Sequence, residues 1–173
     1  AHKNRYGAVS EVGIFEMTGG GLIGVENPSQ RFLSERTADA PGSVVTAQLT
    51  GHRALLTEVQ ALTVQTSFGL PRRTSIGFDQ NRLAMLIAVL ERKAGIELMG
   101  FDVYLNAVGG LKLTEPAADL AVTLALASAQ RGHTVGRETI AFGELGLTGE
   151  IRRVSRVEAR IDEARRLGFT RIL

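Results

Sequence analysis

The chain of 173 residues contains no cysteine, which excludes disulfide bonds and thiolate chemistry. Structural metal sites thereby lose their commonest ligand. The three histidines, His2, His52 and His133, have no acidic partner at ligand spacing. No apolar run is long enough to cross a membrane as a helix. We therefore expect no metal site in this sequence, no membrane contact and a cytoplasmic setting.

Lysine is scarce and arginine abundant: 17 of the 20 basic residues are arginine, although the net charge is only +2. The guanidinium group suits paired contacts with phosphate and carboxylate better than the lysine ammonium group does. Biased codon use would produce the same excess. Composition alone therefore leaves two interpretations open, a phosphate-binding surface and ordinary surface charge.

Hydrophobic periodicity alternates between helical and strand-like stretches. Helices are predicted over residues 79–95, 113–132 and 156–167, with a short helix or turn over 27–36. Asp79 is the predicted cap of the first helix, and Asn27 and Ser29 are the predicted caps of the short element. Strands are predicted within 7–25 (a hairpin), 43–49 and 55–66 (a second hairpin), 102–108, 139–142, 145–151 (around a turn at 148–149) and 169–173. Helices mixed with hairpins predict an α+β fold, in which α and β elements form two layers, rather than a doubly wound sheet. The polar segment 36–42 is the predicted domain boundary. An opening without methionine and a strand-prone end predict a fragment of a longer protein.

The helix over 113–132 begins behind a Gly-Gly loop, a place where enzymes often hold a nucleophile or a phosphate. Thr114 or Glu115 is predicted to cap it, and Pro116 is tolerated in its first turn. The next side chain is that of Ala117, which supplies no nucleophile. The corner therefore has the position of an active site without the chemistry.

The last predicted helix carries arginine on one side, at Arg153, Arg156 and Arg160. A solvent-exposed face with acidic neighbours and a phosphate-binding face both fit this pattern. Ser155 and Glu158 stand as S-x-x-E, which predicts a capping box at the start of the helix. This pattern gives Glu158 a structural role without catalysis.

Six stretches, in the same order along the chain, resemble the C-terminal half of the RadA (Sms) family of bacterial DNA repair proteins. They are KNRYG (3–7), GIFEM (13–17), ENPSQRFLSER (26–36), LPRR (70–73), DVYLNAVGGLKLTEPAADLAV (102–122) and GELGLTGEIR (143–152). Each stretch is weak evidence by itself, but the ordered set is highly specific and extends over nearly the whole chain. In the family the first motif reads Lys-Asn-Arg-Phe-Gly, and Tyr6 here takes the place of the phenylalanine.

The resemblance implies a zinc finger, then a RecA-like ATPase, then a domain similar to the Lon peptidase domain. Residues 1–40 would be the last strands of the RecA-like ATPase core with its linker, and residues 41–173 the Lon-like domain. The sequence contains no Walker A motif. ATP, Mg²⁺ and Zn²⁺ are therefore implied for the full-length parent, and no cofactor or metal for this part.

In Lon-type peptidases a serine on the helix of this corner pairs with a lysine on the helix after the GEI-type strand. Ala117 falls at the serine position and Glu158 at or next to the lysine position. The resemblance therefore implies a vacated peptidase site without a catalytic residue. Two alternatives stay open. One is an active peptidase with a displaced Ser-Lys dyad, for which Lys93 or Lys112 would be the base, and the other is a purely structural oligomerisation module.

The resemblance also implies a DnaB-like hexameric helicase that drives branch migration of recombination intermediates. Its partners would be single-stranded and branched DNA, further copies of itself and the recombinase RecA. For contacts with DNA phosphates we expect first the arginines of loop-like segments, which are Arg31, Arg53, Arg72 and Arg73. The motif expected to couple ATP hydrolysis to movement consists of Lys3, Asn4, Arg5, Tyr6 and Gly7.

Overall fold

The computed structural model describes residues 15–25, 27–37 and 40–173. The helices are α1 (Pro28–Leu33), α2 (Gln80–Val89), α3 (Asp119–Arg131) and α4 (Val157–Arg166). The strands are β1 (Phe15–Thr18), β2 (Gly21–Gly24), β3 (Ser43–Thr50), β4 (Arg53–Gln65), β5 (Arg73–Ile76), β6 (Phe101–Ala107), β7 (Thr139–Ile140), β8 (Glu144–Leu145), β9 (Ile151–Arg152) and β10 (Arg171–Ile172). None of the described helices has the length and apolar character that crossing a membrane requires.

Six strands form one mixed sheet in the order β10-β7-β3-β4-β6-β5. β4 pairs antiparallel with β3 and β6, which confirms the hairpin predicted around the turn at Gly51. The other pairs, β5 with β6, β3 with β7 and β7 with β10, are parallel. Parallel neighbours need crossover connections, and α2 and α4 supply two of them. The architecture is therefore a mixed α/β fold.

Helices cover both faces of the sheet around β3 and β4. Consecutive residues of a strand point to opposite faces. Accordingly Val44 packs in the larger apolar cluster with α2 and α3, whereas Val45 packs in a second cluster with α4. The expectation of two layers is wrong for this part of the sheet, because the connection from β7 to β10 runs on the face opposite α2 and α3.

Strand β5 is the element that the sequence did not predict. It has four residues and lies at the edge of the sheet, where it pairs with β6. Thr74 and Ile76 are exposed, and Arg73 and Ser75 are only half-buried. A strand without a buried side chain leaves almost no hydrophobic pattern in the sequence.

Several local signals in the sequence are confirmed. Asn27 caps α1, and Asp79 accepts a bond from the Arg82 amide, 2.7 Å away, at the start of α2. A π-helical turn over Leu90–Ala94 follows α2 and ends at Gly95, which has a left-handed φ of 63°. Gly132 ends α3 in the same way, with a φ of 66°. Strands β1 and β2 form the described part of the predicted first hairpin, and β8 and β9 pair around the predicted turn.

Three predicted caps are wrong. Ser29 lies inside α1 and is buried there. Helix α3 starts only at Asp119, behind a 3₁₀ turn over Pro116–Ala118, and no side chain caps it. The capping box of α4 is also absent. Its N-cap is Arg156, with a left-handed φ of 52° and no side-chain bond to the first turn.

Candidate functional site

The corner at the start of α3 is closed and apolar. Ala117 and Ala118 are 1% and 2% exposed. The Gly143 amide donates to the Ala117 carbonyl at 2.8 Å, and the Leu120 amide donates to the Gly143 carbonyl at 3.1 Å. Backbone bonds therefore join this corner to the segment that leads into β8, and no side chain there can attack a substrate.

A buried ion pair holds the corner from the side of α4. The guanidinium of Arg160 is completely buried and lies 2.6 Å from a carboxylate oxygen of Glu115. It also donates to the backbone carbonyls of Ala47 and Ser155. Arg160 therefore does not belong to the basic surface that the sequence suggested, because its charge points into the protein and is used there.

A second ion pair holds the corner from the side of α2. Asp119 has no exposed surface, and its two carboxylate oxygens accept from Nε and Nη2 of Arg82. The Leu145 amide donates to the same carboxylate at 3.0 Å. Hydrogen bonding to Asp119 raises the pKa of the Arg82 guanidinium above its ordinary value. No local pattern in the sequence predicts either of these partners of Asp119.

Glu158, the position that the Lon resemblance marks for a lysine, is exposed on α4. Lys93 and Lys112, the candidate displaced bases, are exposed as well. Lys93 lies beside the turn at Gly149, and Lys112 borders a cavity of about 370 Å³ together with Thr114. Within the described residues neither lysine hydrogen-bonds to a serine or threonine, so no preformed dyad is found there.

The DNA-binding arginines expected from the sequence lie at separate places. Arg72 is exposed just before β5, near the last residues of β4, whereas Arg53 is the first residue of β4. Since β4 has thirteen residues of extended chain, the two arginines lie about 40 Å apart along the sheet. The loop-like placement is wrong for three of the four, because Arg31 lies in α1, Arg53 starts β4 and Arg73 starts β5.

Arg73 is used inside the fold. Its guanidinium is half-buried and donates to the Leu98 carbonyl at 3.1 Å and to the Phe101 carbonyl. Two of its nitrogens therefore fix the loop before β6. This leaves Arg72 as the better candidate for a phosphate contact at that end of the sheet.

A basic cluster forms where the β3–β4 turn meets the loop before α4. Nη1 of Arg156 contacts Nδ1 of His52, and both side chains are exposed. Arg53 follows His52 directly, and Arg153 is exposed three residues before Arg156 in the same loop. The structure thus places Arg53, one of the four arginines expected to contact DNA, next to the His52–Arg156 contact, and the charge of Arg53 also acts on Glu163 of α4.

The motif at 3–7 (Lys3, Asn4, Arg5, Tyr6 and Gly7) lies outside the described residues.

About two thirds of the chain matches the model of a known protein family. Residues 60–173, from the middle of β4 onward, match the family described as subunit ChlI of Mg-chelatase, and the chain is a member of it.

Its individual relatives are bacterial proteins named DNA repair protein RadA. The chain is 52% identical over 172 residues to the protein from Streptococcus pneumoniae, and the matched region covers 99% of this chain and 41% of that protein. It is 50% identical over 173 residues to the Bacillus subtilis protein, and the match covers 100% of this chain and 38% of that protein. It is 48% identical to the Rickettsia conorii protein, where the match covers 100% of this chain and 39% of that protein. The predicted resemblance to RadA is confirmed. The chain spans about two fifths of the length of these relatives.

Proposed function

We propose that the chain is the non-proteolytic, Lon-like scaffold of a RadA-type DNA repair ATPase. The observation that carries the proposal is the closed corner at Ala117, where alanine replaces a nucleophile and ion pairs on both sides fix the backbone. Identity near 50% to RadA proteins over the whole chain supports a role in DNA repair. A former catalytic corner would then serve as a structural joint.

Within this proposal, residues 1–40 close the RecA-like ATPase core and supply its linker, and residues 41–173 form the Lon-like domain. Two observations support the boundary. The six-stranded sheet begins at Ser43, and the β1–β2 hairpin forms a separate two-stranded sheet. ATP, Mg²⁺ and Zn²⁺ would be bound by the parts of the protein outside this chain.

We also propose that the protein forms a hexameric ring that drives branch migration and works with the recombinase RecA. The apolar run at 55–64 in β4 is the candidate for surface that is buried between subunits. Leu55 and Leu56 are buried in the subunit's own core, whereas Leu62 and Val64 are 58% and 47% exposed. A contact between subunits through β4 would therefore use only its outer end.

We expect no peptide hydrolysis by this chain, because Ala117 cannot attack a carbonyl. Ala117→Ser should restore nothing, since the lysine base of the dyad is absent as well. The double variant Ala117→Ser, Glu158→Lys should stay inactive too, because a lysine at this exposed position is not desolvated and keeps its proton. Cleavage of a fluorogenic peptide measures the outcome. Activity of the purified chain that disappears in Lys93→Ala or Lys112→Ala would instead establish the displaced dyad.

The basic cluster of His52, Arg53, Arg153 and Arg156 is the DNA surface that we propose. Arg53→Ala and Arg156→Ala should each weaken binding to single-stranded DNA without regard to sequence. Each lost phosphate contact should flatten the slope of log affinity against log salt by about 0.7. Arg131→Ala, at an exposed arginine in the last turn of α3, is the matched control, and Arg72→Ala tests the second candidate surface. A slope that falls for Arg72→Ala and stays unchanged for Arg53→Ala and Arg156→Ala would move the DNA surface to the far end of β4.

A further inference from the structure

A cavity of about 600 Å³ lies between α1 and the sheet. One side of it is apolar and the other carries charged and amide groups. The apolar side is formed by Phe15, Val25, Pro28, Phe32 and Val108. Arg31, Glu58 and Gln60 are among the polar groups. A volume of this size is typical of pockets that hold small organic molecules.

A buried carboxylate faces this cavity. Glu58, on β4, is only 2% exposed, and the hydroxyl of Ser43 donates to its Oε1 atom at 2.5 Å. The Nε atom of Arg36 donates to the same hydroxyl oxygen at 3.3 Å. The Ser43 hydroxyl therefore holds the Glu58 side chain in one orientation, and its carboxyl oxygens can accept hydrogen bonds.

An aromatic ring lies against the backbone at the other side. Gly109, in the 3₁₀ turn after β6, has a φ of 82°, and a Cβ atom there would lie 2.6 Å from the Phe32 ring. Only glycine allows the ring to pack this closely. The Phe32 ring is thereby fixed at the cavity wall, and the more exposed ring of Phe15 lies at the same cavity.

We propose that this cavity takes up one base of a single DNA strand, an inference that rests on the DNA binding proposed above. Bases stack on aromatic side chains and are recognised through hydrogen bonds at their edges. The two phenylalanines offer a stacking surface for the ring of a base, and the Glu58 carboxyl group offers hydrogen-bond acceptors for its edge. Guanine fits best, because its pairing edge presents two adjacent N–H donors to a carboxylate.

Three oligonucleotides with equal phosphate counts test this inference. One is a twelve-nucleotide thymidine strand carrying a central guanine, the second carries a central adenine instead, and the third is the same backbone without bases. Fluorescence anisotropy with the whole chain should give at least tenfold tighter binding of the strand with bases. A central guanine should bind several-fold tighter than a central adenine. Equal affinities for the strands with and without bases would overturn the base pocket and leave phosphate binding intact. No binding to any strand would overturn both proposals.

Variants locate the contact. Phe15→Ala should remove most of the advantage of the strand with bases, while Phe68→Ala, at a phenylalanine that is 96% exposed elsewhere, should leave it unchanged. Glu58→Gln keeps an acceptor for Ser43 and should abolish the preference for guanine without altering the salt slope. An unchanged guanine preference in Glu58→Gln, or equal effects of the two phenylalanine variants, would contradict the assignment.

Discussion

Asp119→Asn is expected to lower the free energy of unfolding by about 3 kcal/mol, a larger loss than we expect from any surface change in this chain. The carboxylate is completely buried and accepts three hydrogen bonds, two from Arg82 and one from the Leu145 amide. An amide in its place carries no charge and turns an N–H₂ group towards one of these donors. The guanidinium of Arg82, which is 27% exposed, would then lose its counter-charge. For a domain of this size the melting temperature should fall by about 10 °C.

The control for this prediction is an ion pair at the surface. Arg152 pairs with Glu150 at 2.5 Å, and the two side chains are 61% and 37% exposed. Exposed pairs of this kind contribute about 1 kcal/mol or less, so Arg152→Ala should have a small effect. Denaturant unfolding of both variants gives the comparison. Similar losses in the two variants would show that the buried pair does not hold the corner.

A double variant separates the ion pair from the packing around it. Arg82→Leu combined with Asp119→Leu removes both charges and leaves side chains of apolar character. Replacing both partners avoids an uncompensated buried charge, so the double variant should lose less stability than the two single changes added together. Strict additivity would mean that the two side chains do not act as a pair.

The fold was predictable where one hydrophobic pattern decides the structure. The β3–β4 hairpin and α3 have long apolar runs that end at turn residues or at glycine, and the sequence placed both within a few residues. β5 was missed because none of its four side chains is buried. The second helical layer was missed because the pattern of α4 shows an apolar stripe but not the face of the sheet on which that stripe packs.

The candidate site was predictable only in part, for a related reason. Ala117 is visible in the sequence as a residue without chemistry. Its neighbours Glu115 and Asp119 find partners 45 and 37 residues away, and no local pattern encodes such pairs. Arg160 illustrates the consequence, because helical spacing put it on one side with Arg153 and Arg156. The fold instead uses that arginine to join α4 to the corner.

The same limit applies to the capping box. Ser155 and Glu158 have the right spacing, yet Arg156 takes a left-handed conformation and starts the helix without a side-chain cap. The turn before α4 is held instead by Arg160, whose Nε atom donates to the Ser155 carbonyl at 3.0 Å. A tertiary contact therefore replaced the local one that the sequence suggests.

Lys3→Ala and Arg5→Ala carry the largest expected effect on activity, measured in a full-length protein that contains this chain. The sequence predicts an extended segment at Lys-Asn-Arg, in which the two cations would lie on the same side, and Gly7 would permit a turn. Under the proposed function these residues lie near the end of a RecA-like core. From there they would reach the nucleotide bound by the neighbouring subunit.

A cation supplied to a neighbour's nucleotide stabilises the charge that develops on the γ-phosphate, and trans-acting arginines of this kind raise rates by about 10³-fold or more. Each variant should therefore cut DNA-stimulated ATP hydrolysis and unwinding severely while ring formation persists. In the 173-residue chain alone, the same changes should leave the melting temperature almost unchanged. ATP hydrolysis and unwinding at the unaltered rate in both variants would return Lys3 and Arg5 to the role of ordinary solvated charges.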